Sequence, residues 1–258
     1  MGYAYYNGEH SITIGDKHTW RDWHLMPCDR PNFSDAEPRL VFIEVPGADG
    51  KLDVSNALTG RVLYERREGS FEFYVDNDHV ESWHNLYAKM KNYVQGRLLQ
   101  AVLDDDPLWY YEGRFWFSEP SQDEYNMKVQ LNYNVRPYKR KVYNSLEDIP
   151  WDVLTLDDVV QPYLFNNITV NGERVMQLKA NAIGHEAVVP TFIVDTDGEG
   201  LTMSFTNPEL KISDQRSLAK GQTTDSSFIL SGENPDNVCE LRFSGNGTVS
   251  IRFTSGEL

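Results

Sequence analysis

The chain has 258 residues, 40% hydrophobic and 12% aromatic, which excludes wholesale disorder and leaves room for one large domain or two ordinary ones. Its formal net charge of −15 excludes a general nucleic-acid or anionic-membrane binder, because phosphates would be repelled. No run approaches about 18 apolar residues, so no membrane insertion is expected.

The start, MGYAYYNGEH, has neither the basic flank nor the apolar run of a signal peptide. Cys28 and Cys239 stand at opposite ends of the chain and read as free thiols of a protein made in a reducing compartment. The charge is uneven: the chain up to Asn144 carries −5 and the remainder −10, the second part being depleted in Lys and Arg. That shift favours two domains.

In chain order, the first informative stretch is Gly50–Phe73. Lys51–Gly60 reads as a polar, turn-rich loop in which Leu52 and Val54 are the apolar exceptions. Arg61–Val75, RVLYERREGSFEFYV, reads as two strands around a turn near Glu68–Gly69, with Phe71, Phe73 and Val75 facing one way. The next segment, DNDHVESWHNLYAKMKNYVQG, predicts a helix. Val80, Trp83, Tyr87, Met90 and Val94 recur at spacings of three and four, on one face. Asp78 is placed to cap its first turn with Glu81 as reciprocal partner, Lys89 and Lys91 suit its C-terminal end, and Gly96 ends it.

GRLLQAVLDDDPLWYYEGRFWFSEP reads as strand, Asp-Pro turn, strand. In NMKVQLNYNVRPY, Met127, Val129, Leu131, Tyr133 and Val135 alternate as in a half-buried strand. Alternation then fails, Pro150 and Pro162 interrupt any long element, and a domain boundary is expected close to Arg136–Asn144. The rest is β-like: TFIVDT, LTMSFTN, SFILSG, CELRFSG and TVSIRFT are short apolar runs separated by Gly, Pro, Asp or Asn, the pattern of a sandwich.

Chemistry has little to stand on. DTDGEG (Asp195–Gly200) opens like a calcium loop, but its twelfth position is Thr206 where a bidentate Glu is required, so it reads as a hairpin turn. The three carboxylates of DDDP (Asp104–Pro107) alternate in direction along a strand and suit a turn better than a metal or acid–base pair. The histidines, His10, His18, His24, His79, His84 and His185, form no HExxH pair. No nucleophile elbow, phosphate loop or dinucleotide fingerprint occurs. No catalytic residue, metal or cofactor is therefore assigned. Trp151, Tyr163 and Phe165 are the candidate sugar-stacking rings, with the hydrophobic core as the alternative home for each.

Several separated motifs, taken together and in order, carry a resemblance. GKLDVSNALTGRVLYERREGSFEFYV, the helix with YAKMKNYVQGR, VLDDDPLWYYEGRF, VRPYK and the closing GNGTVSIRFTSGEL look like the distal tail protein (Dit) family of long-tailed siphophages and related prophages, over essentially the whole length. The resemblance implies a virion structural protein, made in the bacterial cytoplasm and located at the tail tip. It implies a homo-hexameric ring hub between the tail tube protein and the tail-associated or baseplate proteins, through which DNA passes without sequence-specific binding. It implies a mainly β chain of two domains. Residues 1–140 would be a ring-forming β-sandwich with one α-helix, and residues 141–258 a galectin-like or carbohydrate-module-like β-sandwich. The final strand, Thr248–Thr254, returns to the N-terminal domain in some members. Lys51, Leu52, Asp53, Val54, Arg66 and Glu68 then become the candidate oligomer interface, since a ring needs one patch to meet a different patch on the next copy. The alternatives are a carbohydrate-binding protein contacting host glycan through the C-terminal sandwich, and a cell-wall hydrolase.

Overall fold

The computed structural model describes residues 8–57, 59–75, 83–122, 127–152, 154, 164–198 and 200–258. The chain is mainly β and divides into two compact units, Met1–Lys139 and Arg140–Leu258.

The first unit contains β1 (Ile12–Ile14), β2 (Lys17–His18), β3 (Leu25–Pro27), β4 (Phe42–Glu44), β5 (Lys51–Asp53), β6 (Arg67–Val75), α1 (Trp83–Val94), β7 (Leu98–Leu103), β8 (Trp109–Phe117), β9 (Ser121–Gln122) and β10 (Met127–Val135). Its antiparallel sheet runs β2-β1-β7-β8-β10-β6-β3, and β4 and β5 form a separate ribbon. The alternation expected in Met127–Val135 is the burial pattern observed: Val129, Leu131, Tyr133 and Val135 are buried. They pack with Phe71, Phe73, Phe115 and Phe117 from neighbouring strands.

The helix lies on this core. Met90 and Val94 are fully buried, and Trp83 and Tyr87 are half-buried against the core, which is the predicted face. A helix of 12 residues is marginal alone, and burying Met90 and Val94 at about 1.5–3 kcal/mol each holds it on the sheet. Gln95 donates to the Lys91 carbonyl, and the left-handed Gly96 then turns the chain so that its own N–H reaches the Phe115 carbonyl at 2.8 Å. The cap expected at Asp78 with Glu81, and the Val80 turn, lie outside the described residues.

Arg67–Val75 is one uninterrupted strand, so the hairpin expected near Glu68–Gly69 is not present. Gly69 serves packing, not a turn. It pairs with Tyr133, and a Cβ there would lie 2.4 Å from the Tyr133 hydroxyl oxygen.

After β11 (Lys139–Lys141), the second unit contains β12 (Ile168–Lys179), α2 (Ala180–Ile183), β13 (Thr191–Asp195), β14 (Leu201–Asn207), β15 (Ile212–Leu218), β16 (Gly221–Thr224), β17 (Val238–Arg252) and β18 (Gly256–Glu257). CELRFSG and TVSIRFT, expected as two short strands, are one strand of 15 residues, β17. One edge of β17 pairs with β12 from Val238 to Val249; the other carries β14 and then β13 end to end. The segment Thr248–Arg252 is paired inside this unit, with β13.

The DTDGEG segment therefore interrupts two collinear strands and is not a hairpin turn. It rides over Gly247, where a Cβ would come within 2.6 Å of the Asp195 carbonyl oxygen. Thr196 is buried there and donates its hydroxyl to the Asn246 carbonyl at 2.7 Å. SFILSG is not a strand: only Leu230 bridges, to Val188, while Phe228 and Leu230 are buried as core plugs.

Candidate interaction surface

The most unusual feature lies where the sequence looked like a loop. Between Phe33 and Arg67 the chain leaves the core of the first unit and comes back, and no described residue from Ser34 to Arg66 belongs to that core. The excursion is a hairpin arm. At its root, Arg39 donates to the Leu63 carbonyl and Glu65 to the Glu37 carbonyl, at 2.7 and 2.8 Å. Farther out Phe42, Ile43 and Glu44 pair with Asp53, Leu52 and Lys51. Lys51–Asp53 is thus a strand, and the loop expectation holds only beyond it.

The root is built to hold. Phe33 enters the core, stacked on Tyr111 with ring centroids 4.0 Å apart and edge-on to Phe71 and Tyr133. Arg67, where the chain returns, is buried, and a buried guanidinium is tolerated only when its donors are used. It donates to the Pro137 and Ser34 carbonyls at 2.7 and 2.9 Å and lies over the Tyr111 ring. Ser34 donates its N–H to the Tyr133 hydroxyl and its own hydroxyl to the Glu68 carbonyl.

Strand alternation sorts the arm into two faces. Val41, Ile43, Val45, Leu52 and Val54 share one, and Leu40, Phe42, Glu44, Lys51 and Asp53 the other. Leu40, Phe42, Ile43 and Leu52 are each 50–56% exposed, while Val54 is half-buried. A contiguous aliphatic face that joins no core cluster among the described residues is a candidate docking surface. The polar residues do little by comparison. Lys51 and Glu44 pair at 3.2 Å in solvent, and Asp53 accepts from the Ser55 hydroxyl and N–H, which lowers its pKa and ends the strand.

The structure places Arg66 and Glu68 at the base of the arm, exposed on the outer face of the sheet. Both are tied to Asn134, opposite Glu68 on β10: Arg66 donates to its side-chain and backbone carbonyls, and its amide donates to Glu68. Sequence reasoning missed Leu40–Val45. The run RLVFIEV followed by Pro46-Gly47 was the available signal, a β-branched run before a turn.

The glycan candidates do not converge. Trp151 is 84% exposed, Tyr163 lies outside the described residues, and Phe165 is buried in the core against Phe253, so its ring is unavailable to a sugar. The DDDP carboxylates fan out to separate partners. Asp104 meets His18 and the Ser11 N–H, Asp105 meets His10 and Arg30, and Asp106 meets Lys139, all within 3.2 Å. Among the described residues no three His, Cys, Asp or Glu side chains come together as metal ligands. No helix among them is long and apolar enough to cross a membrane.

Burial raises the Asp105 pKa, but the hydrogen bonds from Arg30 and His10 outweigh it and leave the carboxyl below its usual range. A depressed carboxylate stabilises the fold above the unfolded value, near 3.9, and that contribution is lost as pH falls through the folded value. Asp105→Asn is expected to lower Tm by about 3 °C between pH 6 and 8, with the gap to the wild type closing below about pH 4. A gap that is constant down to pH 3 would rule out the charge as its cause.

No family profile and no curated protein sequence matches the chain. The fold is two mainly β units, the first with one helix on its sheet. Among solved structures the chain is similar to the crystal structure of SPP1 Dit (gp 19.1), described as a paradigm of the hub adsorption apparatus in phages infecting Gram-positive bacteria. The TM-score is 0.55 at 14% identity, over 96% of this chain and 99% of that one. At that identity the likeness establishes the fold.

Proposed function

We propose that the chain is a non-enzymatic structural protein of a phage tail tip. In this reading it assembles through its first unit into a homo-hexameric ring hub that joins the tail tube to the baseplate or tail-associated proteins. The observation that carries the reading is end-to-end sharing of a fold with a protein described as an adsorption-apparatus hub. The arm supports the self-association part. An aliphatic hairpin face left in water is a cost that a neighbouring copy removes, and a heterologous contact of arm to patch closes into a ring. The net charge of −15 suits a channel past which DNA slides, because like charge prevents sticking. Residues 1–140 build the ring in this reading, and residues 141–258 form the outward domain.

Light scattering and negative-stain images of the purified protein test it. The expected particle is a ring of about six times the 29.7 kDa chain mass. A single-chain mass at every concentration up to the millimolar range overturns the reading.

A further inference from the structure

We infer that the outer face of the first unit's sheet at Leu98, Arg114 and Trp116 is the seat for the hairpin arm of a second copy of this chain. The inference rests on the self-association reading and goes beyond it by naming the acceptor. In the first unit the large apolar side chains left exposed are six on the arm and, among the described residues outside it, Leu98 and Trp116, at 57% and 36%. Register puts these two together: Leu98 is opposite Arg114 on β8, and Trp116 lies two residues further along β8, so all three point outward on the same face. Arg66 and Glu68 share that face, because Glu68 is opposite Asn134 and Asn134 is opposite Arg114.

Charge supports the same occupant. Arg114 donates to the Gly96 carbonyl at 2.6 Å and Arg66 to Asn134, and among the described residues neither meets a carboxylate. Both guanidiniums are exposed, and the arm carries the opposite sign. Its outer part, residues 41–54, carries Glu44, Asp49 and Asp53 against Lys51. Trp116 and Arg114 are of the residue types that most often anchor an interface. The sizes agree: the aliphatic run Val41–Val45 spans about 14 Å, and three strands of the sheet about 10–14 Å. The chain thus carries both halves of a heterologous contact.

Two variants test it. Ile43→Lys with Leu52→Glu removes the arm face, and Leu98→Asp with Trp116→Ala removes the seat; each is run alone and then mixed in equal amounts. Each alone is expected at the chain mass of 29.7 kDa, and the mixture at twice that mass, because one intact arm meets one intact seat and growth stops. Should Leu98→Asp prevent folding by circular dichroism, Trp116→Ala alone is expected to raise the assembly midpoint more than tenfold. A seat variant that assembles like wild type, or a mixture that stays at the chain mass, overturns this inference and leaves the ring reading standing. A wild-type chain that never assembles overturns both.

Discussion

Ile43→Lys with Leu52→Glu is expected to leave the monomer folded and to abolish self-association. The two residues face each other across the ribbon, so the new charges are opposite in sign and the hairpin register is retained. Both side chains are more than half exposed and neither touches the core, so monomer Tm should move by no more than about 2 °C. Assembly is another matter. Five aliphatic side chains, each already partly covered, bury roughly 1 kcal/mol apiece on docking, so the arm face contributes about 5 kcal/mol of contact energy. Replacing its centre by charges forfeits two of these and adds the cost of desolvating polar groups, in total about 4 kcal/mol or more. That is about a thousandfold at each contact, and a ring repeats the loss at every interface. Sedimentation or light scattering, with circular dichroism as the folding control, reads the outcome. An intact assembly, or an unfolded monomer, refutes the role given to the arm.

The arm also shows where sequence patterns stop being informative. Met127–Val135 was legible because strict alternation and half-burial are the same fact seen twice. The helix face through Met90 and Val94 was legible for a similar reason: nothing else explains a spacing of three and four. Leu40–Val45 was not, since an apolar strand destined for a neighbouring molecule looks like one destined for the core. Leu52 was singled out, but its opposite number Ile43 was not, because the pairing that joins them is a tertiary fact. Glycines misled most. Those at 69, 245 and 247 punctuate the sequence like turns, yet all three sit inside long strands. The signal for Phe165 failed in the other direction: an aromatic ring has the same identity in a core and on a sugar platform, and only its burial separates the two.

Gly113→Ala is expected to have a large effect for a single methyl group. The glycine lies in mid-strand on β8, between Leu99 on β7 and Val135 on β10, facing the core. The β10 backbone leans over it: a Cβ would stand 2.3 Å from the Asn134 carbonyl oxygen and 2.4 Å from the Val135 Cα. Main-chain atoms cannot rotate aside as a side chain can, so Gly113→Ala must push β8 and β10 apart at the centre of the sheet. Overpacking costs about 1–3 kcal/mol, and each ladder hydrogen bond stretched nearby adds about 1 kcal/mol, so roughly 3 kcal/mol is expected. For a unit of this size that lowers Tm by about 10 °C. Five of the six tryptophans lie in the first unit, so intrinsic fluorescence follows its unfolding. Gly198→Ala, in the second unit and followed by circular dichroism, is the control: its Cβ would meet only the Thr196 hydroxyl, at 3.7 Å, and Tm should hold within about 1 °C. If Gly113→Ala melts with the control, the close approach of β10 to β8 is not a feature of the folded protein.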